Sequence, residues 1–161
     1  MKMKKVNWKS LIISLAISLG AGVISALLTS NSMEIYEKLY QPPLAPPGWL
    51  FPIVWMILFI LMGVSAYFVY ESNKEKEEKD SALLLYGIQL VVNVVWSILF
   101  FRFHGYFFAF LWLLLLWYLI YHTLKRFYDI EPIAGWLMVP YLMWVTFAGY
   151  LNLVIAIREM F

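Results

Sequence analysis

The 161-residue chain contains no cysteine, which removes thiolate metal sites, redox pairs and disulfides at once. Charge is scarce as well. Charged residues make up 14% of the chain, against about 25% in an ordinary soluble domain. The two histidines, His104 and His122, both fall near the ends of apolar runs. A metal site needs more ligands than these, and no Ser/His/acid set is available for hydrolysis. His104 sits at a turn, where an axial haem ligand is conceivable and a solvated side chain is the plainer reading. No catalytic residue, no metal and no required cofactor is expected. The long apolar runs carry no Asp or Glu, so proton relays and carboxylate-coupled ion sites lack their usual parts. The net charge of +2 points to no nucleic-acid partner, because the basic residues lie in loops where membrane topology accounts for them.

What fills the chain is hydrophobicity, at 63% of residues. Five stretches, 10–29, 49–70, 81–101, 103–124 and 132–157, are free of Asp, Glu, Lys and Arg. Each holds roughly 20 or more residues, and at about 1.5 Å per residue each can cross a ~30 Å hydrocarbon core as a helix. The sequence therefore predicts an all-α membrane protein: one domain over 1–161, folded as a five-transmembrane-helix bundle. Short connections leave no room for a soluble catalytic domain. The odd number of spans and the lack of matching halves argue against an inverted-repeat transporter. Lysines precede the first run as in a signal peptide, but the run exceeds the usual 7–15 residue apolar core of one, so a retained helix is expected.

Lysine and arginine positions set an orientation. With the N-terminus inside, Lys2, Lys4, Lys5, Lys9, Lys74, Lys76, Lys79, Lys125 and Arg126 are cytoplasmic, and only Lys38, Arg102 and Arg158 lie outside. That excess predicts a cytoplasmic N-terminus. The five acids of the 71–80 segment count little in this rule, and the segment reads as a solvated charge run.

The first loop, 30–48, differs from the others. Ser32 can cap a short helix in which Glu34 and Lys38 stand at i,i+4 and Ile35 and Leu39 share an apolar face, with Tyr36 and Tyr40 beside it. The segment Gln41-Pro42-Pro43-Leu44-Ala45-Pro46-Pro47-Gly48 follows. Prolines hold φ near −65° and cannot extend a helix, so this stretch is stiff. A Pro-rich lid over a cavity and a rigid connector on the headgroups both fit.

Eight tryptophans are the next signal. Trp8, Trp49 and Trp136 suit interfacial belts. Trp55 and Trp144 lie deeper, and each can pack between helices or line a site for a flat apolar ligand. Gln89 and Asn93 are four apart on one face, with Trp96 three further on. Carboxamides facing lipid would cost several kcal/mol, so they face the bundle interior, as helix–helix glue or as ligand contacts. Trp144, Ala148 and Asn152 share a face of the fifth span in the same way. Ser14, Ser18, Gly22 and Ala26 recur every four residues in the first span, a row that admits close helix approach, either within the monomer or across a dimer.

Three stretches together resemble the translocator protein family, also known as tryptophan-rich sensory proteins or peripheral benzodiazepine receptors (TspO/MBR). They are Pro46-Pro47-Gly48-Trp49-Leu50-Phe51 with Trp55, Leu58, Phe59, Gly63, Ala66 and Tyr67; Gln89-Leu90-x-x-Asn93-x-x-Trp96-x-x-x-Phe100-Phe101; and Pro140-Tyr141-x-x-Trp144-x-x-Phe147-Ala148-x-x-Leu151-Asn152. The resemblance spans essentially the whole chain. It implies a membrane receptor or sensor, usually a homodimer in contact with lipid. Its bundle holds porphyrins such as protoporphyrin IX or haem, or flat aromatic drug-like ligands, beneath the first loop. By position, the implied pocket residues are Tyr36, Pro46, Trp55, Phe59, Gln89, Asn93, Trp144, Ala148 and Asn152. The resemblance also implies two other roles. One is light-dependent porphyrin breakdown, with Trp55 and Trp144 as the photochemical residues. The other is tetrapyrrole or lipid transport. Departures from the pattern are Ile35 and Gln41 in place of a Trp and a Lys in the loop, and Trp112 in place of an acid in the fourth span. Leu153 stands at the Tyr place of the sterol motif, which lowers the expectation of sterol binding. A bacterial cell membrane fits the chain.

Overall fold

A computed structural model describes residues 5–161. Six helices follow in order: α1 (Trp8–Leu28), α2 (Ser32–Lys38), α3 (Leu50–Tyr70), α4 (Lys76–Ser97), α5 (Tyr106–Ile130) and α6 (Pro132–Met160). A π-helical turn, Ile98–Arg102, extends α4. All but α2 are long and apolar enough to cross a membrane. The protein is an integral membrane five-helix bundle with one short helix in its first loop.

Helix ends follow local chemistry more than the uncharged runs do. The third span starts at Lys76, not at 81, because Glu77 and Glu78 fall in a first turn whose free N–H groups favour negative charge. The fourth starts at Tyr106, since His104 takes a positive φ of 54° that stops a helix. It then runs on through Lys125, Arg126 and Asp129 to Ile130, leaving Glu131 alone between α5 and α6. Gly135 makes that hairpin possible: a Cβ there would lie 2.5 Å from Tyr128 Cβ and 2.8 Å from its Cα. Ser32 is the first residue of α2 and not its cap. Asn31 holds the cap position in a left-handed conformation, and no side chain bonds there.

Among lipid chains there is little hydrophobic force between helices, so close backbone approach and polar contacts hold the bundle. α1 is largely exposed along its length and touches α3 through its small residues. The Ser14 hydroxyl donates to the Gly63 carbonyl at 2.6 Å. A Cβ on Gly63 would meet Ser18 Oγ at 2.7 Å, and one on Gly22 would meet the Phe59 ring at 2.8 Å. The row of small residues in the first span is thus a seam within the monomer, except for exposed Ala26. At the α1 start, the Asn7 side chain accepts from the Ser10 N–H and its backbone N–H donates to the Tyr67 hydroxyl at 2.9 Å. The N-terminal end therefore abuts the end of α3, and the first loop lies at the opposite end of the bundle.

Candidate ligand site

The first loop is strapped down from several sides. Tyr36, buried on α2, donates its hydroxyl to the Pro46 carbonyl at 2.8 Å. Burial pushes the Tyr36 hydroxyl pKa up from the ordinary value. Gln41 Nε2 donates to the Tyr36 and Leu39 carbonyls at 2.8 and 3.1 Å, which satisfies the open end of α2. From α6, the Tyr150 hydroxyl reaches the Pro43 carbonyl at 2.8 Å, and Arg158 lies 4.2 Å from the centre of the Tyr40 ring. The stiff Pro-rich segment is thus anchored at both ends and in its middle.

Beneath it runs a chain of aromatic pairs, the first two edge-on and the last two tilted. Tyr36 meets Phe51 at 4.7 Å between centroids, and Phe51 meets Trp144 at 5.7 Å. Trp144 meets Phe147 at 5.7 Å, and Phe147 meets Tyr150 at 6.2 Å. Because Tyr150 bonds back to Pro43, loop, α3 and α6 close a ring of aromatic contacts. These are the spacings at which aromatic rings attract one another and a flat ligand would stack. Within this ring the Trp144 indole N–H is buried and has no hydrogen-bond partner. A buried donor left unpaired costs about 1–3 kcal/mol, so it is a place where an acceptor would be gained. Trp144, with Phe147, also walls a groove of about 410 Å³ whose other side is Val54, Ile57 and Leu61 of α3. A second groove, of about 380 Å³, lies at the far end of the bundle between Glu77, Ser81, Arg126 and Asp129.

Deeper in, a second set of residues gathers around Tyr141. Asn93 Nδ2 donates to the Tyr141 hydroxyl at 2.7 Å, and that hydroxyl donates to Gln89 Oε1 at 2.7 Å. Gln89 Nε2 is left facing the Met62 sulfur at 3.8 Å. Trp55 packs edge-on against Tyr141 at 6.3 Å and leans on Phe59 at 5.8 Å. About three turns beyond Tyr141, toward the loop end of α6, Asn152 Oδ1 accepts from the Trp96 indole at 3.1 Å while its Nδ2 donates to the Tyr106 carbonyl at 2.9 Å. Ala148 lies buried on α6 between Trp144 and Asn152.

The sequence-predicted residues thus fall into groups. Tyr36, Pro46 and Trp144 come together under the loop; Trp55, Phe59, Gln89 and Asn93 meet around Tyr141; Asn152 joins Trp96. His104 and His122 lie in neither cluster, pairing with Tyr106 and with Tyr118 and Tyr121. Among the described residues no group of three or more His, Cys, Asp or Glu is placed to hold a metal ion. The arrangement can stack, exclude water and present a few donors.

The family model described as TspO/MBR family matches residues 13–158. The chain belongs to the TspO/MBR family. It is 37% identical over 153 residues to the tryptophan-rich protein TspO of Chlorobaculum tepidum, covering 94% of this chain and 96% of that one. It is 36% identical over 132 residues to protein CrtK of Rhodobacter capsulatus, 82% and 81% of the two chains. Human translocator protein is 34% identical over 140 residues, 86% of this chain and 83% of its own.

Two departures of this TspO/MBR member from the family pattern have structural roles. Gln41 closes α2, as above. The Trp112 indole donates to the Val92 carbonyl at 2.8 Å and staples α5 to α4. Four residues that sequence reasoning did not single out belong to the two clusters: Phe51, Tyr141, Phe147 and Tyr150. Phe51, Tyr141 and Phe147 lie inside the quoted motifs, so their positions were signalled. The Tyr150–Pro43 bond joins residues 107 apart in sequence, which no local spacing reports.

Proposed function

We infer that this TspO/MBR member captures a flat, porphyrin-like tetrapyrrole between the first loop and helices α3 and α6. The supporting observation is the aromatic ring beneath the strapped loop, with the Trp144 N–H buried inside it and unpartnered. Burying a large planar molecule there gains stacking on every side, and one buried donor fixes its orientation. No histidine borders the cluster, so the site suits binding through the macrocycle faces, and metal-free protoporphyrin IX fits it better than haem, whose iron seeks an axial ligand. The excess of Lys and Arg on the N-terminal side supports a cytoplasmic N-terminus, in what we read as a bacterial cell membrane, with the loop and its ligand on the outer side.

The test is a dark titration of the purified protein in nanodiscs with protoporphyrin IX, following tryptophan quenching, beside Trp144→Ala. The reading expects saturable quenching at micromolar or tighter concentrations, weakened in the variant. Linear quenching, identical in the two proteins, would reduce the interaction to partitioning into lipid and remove the assignment.

A further inference from the structure

Gln89 and Asn93 are the polar groups that a ligand in the bundle would be expected to use, yet in the structure neither amide is free. One hydroxyl holds both. Tyr141 accepts from Asn93 and donates to Gln89, each at 2.7 Å, and its ring is fully buried. Hydrogen-bond capacity makes this significant. A tyrosine hydroxyl has one proton to give and can accept, which is the complement of an amide N–H beside an amide C=O. The remaining donor, Gln89 Nε2, reaches no better acceptor than the Met62 sulfur at 3.8 Å, a weak bond. The pair is therefore satisfied by Tyr141 and poorly satisfied by the rest of the bundle. Asn152, by contrast, uses both ends of its amide between Trp96 and the Tyr106 backbone and is simple glue.

The Tyr141 ring also leans edge-on against Trp55 at 6.3 Å, and Tyr141 stands one turn before Trp144 on α6. One side chain thus connects the deep amides of α4, the deep tryptophan of α3 and the helix that bears the Trp144 donor.

We propose that Tyr141 is a specificity-determining latch. Its hydroxyl occupies the polar end of the bundle interior, and a ligand gains the Gln89 and Asn93 amides only by supplying acceptor groups that replace it. The inference rests on the capture of a planar macrocycle proposed above, and it adds which ligand chemistry the site rewards. A macrocycle with carbonyl oxygens on its edge competes with the latch; an all-alkyl macrocycle does not.

Tyr141→Phe keeps the ring and removes only the hydroxyl. The probes are protoporphyrin IX dimethyl ester, which carries neutral carbonyl acceptors, and etioporphyrin, a macrocycle of the same shape with alkyl groups alone. In Tyr141→Phe the ester should bind about tenfold tighter, since the amides no longer have an internal partner to give up. Etioporphyrin affinity should stay within about twofold, because no hydrogen bond to it depends on the latch. Equal shifts for both probes, or no shift for either, would overturn the proposal and leave Tyr141 a packing residue.

A second measurement needs no ligand. The chain has no cysteine, so Ala148→Cys provides a single thiol on the buried face of α6, about two turns beyond Tyr141. Its maleimide labelling in nanodiscs should be several-fold faster when combined with Tyr141→Phe, as α4 and α6 part more often. Unchanged labelling would sink the latch whatever the porphyrins do. Absence of saturable binding alongside faster labelling would instead overturn the capture reading and, with it, the ligand specificity assigned to Tyr141.

Discussion

Two layers of this bundle are built from similar residues and finished differently. The carboxamides are the matched part: Asn152 uses both ends of its amide between Trp96 and Tyr106, while Gln89 and Asn93 share Tyr141 and Gln89 Nε2 is left on the weak Met62 sulfur. In the layer beneath the first loop, aromatic rings pack at 4.7–6.2 Å but the Trp144 N–H is left with nothing to donate to. The contrast separates Asn152, which is glue, from the groups that a ligand could still engage. In a bilayer an unmatched polar group has no water to fall back on, so evenly matched groups hold helices together and a surplus donor marks where another molecule adds something.

The largest effect that sharpens this contrast comes from the matched layer. Asn152→Ala strands the Trp96 indole and opens a small cavity, and it should cost about 3 kcal/mol of stability. Thermal unfolding in detergent would register it as a clear fall in Tm. Protoporphyrin IX affinity of the folded fraction should hardly move. A large affinity loss without a Tm change would invert the assignment of the two layers.

Next comes the unmatched layer. Trp144→Ala removes the central ring and should weaken protoporphyrin IX roughly 30-fold, about 2 kcal/mol, with a smaller Tm change than Asn152→Ala. Trp144→Phe separates ring from donor: it retains the stacking and should lose about threefold to tenfold, the share of one hydrogen bond. Smaller again is Tyr150→Phe, which cuts the strap to Pro43. Stopped-flow displacement should show ligand leaving about fivefold faster, consistent with the loss of about 1 kcal/mol from a closed loop. An unchanged exit rate would mean that the loop does not gate the site.

Much of this contrast was legible in the sequence, and the illegible part has a physical cause. Uncharged runs located all five spans, because hydrocarbon thickness sets their length. Their ends shifted wherever charge was compatible with a helix terminus, as at Lys76, or where one residue took a left-handed turn, as at His104. The faces were readable too: helical spacing put Gln89, Asn93 and Trp96 together, and all three are buried. What spacing could not give was who satisfies whom. That Tyr141 sits between the two amides, and that Tyr150 reaches Pro43, depend on how α6 is rotated against α4 and the loop. Such long-range matching leaves no periodic trace in either segment.

The smallest expected effect uses proton linkage to probe the loop side of the comparison. Tyr36 is buried beneath the Pro-rich segment and its hydroxyl donates a hydrogen bond to the Pro46 carbonyl. Burial raises its pKa above the ordinary value of about 10. The closed loop therefore holds a proton that an open loop would release. Stability from this source is fully present below about pH 10 and is lost as pH climbs through the raised value. Between pH 6 and 9 porphyrin exit should be flat, and above about pH 10 it should quicken as ionisation favours the open loop. Tyr36→Phe should start with a modestly faster exit, having lost the bond to Pro46, and should lack the component of the alkaline rise that the wild type shows. Were both proteins to rise together, the sensitivity would belong to lysines or to the lipid, and Tyr36 would close the loop by packing on Phe51 alone.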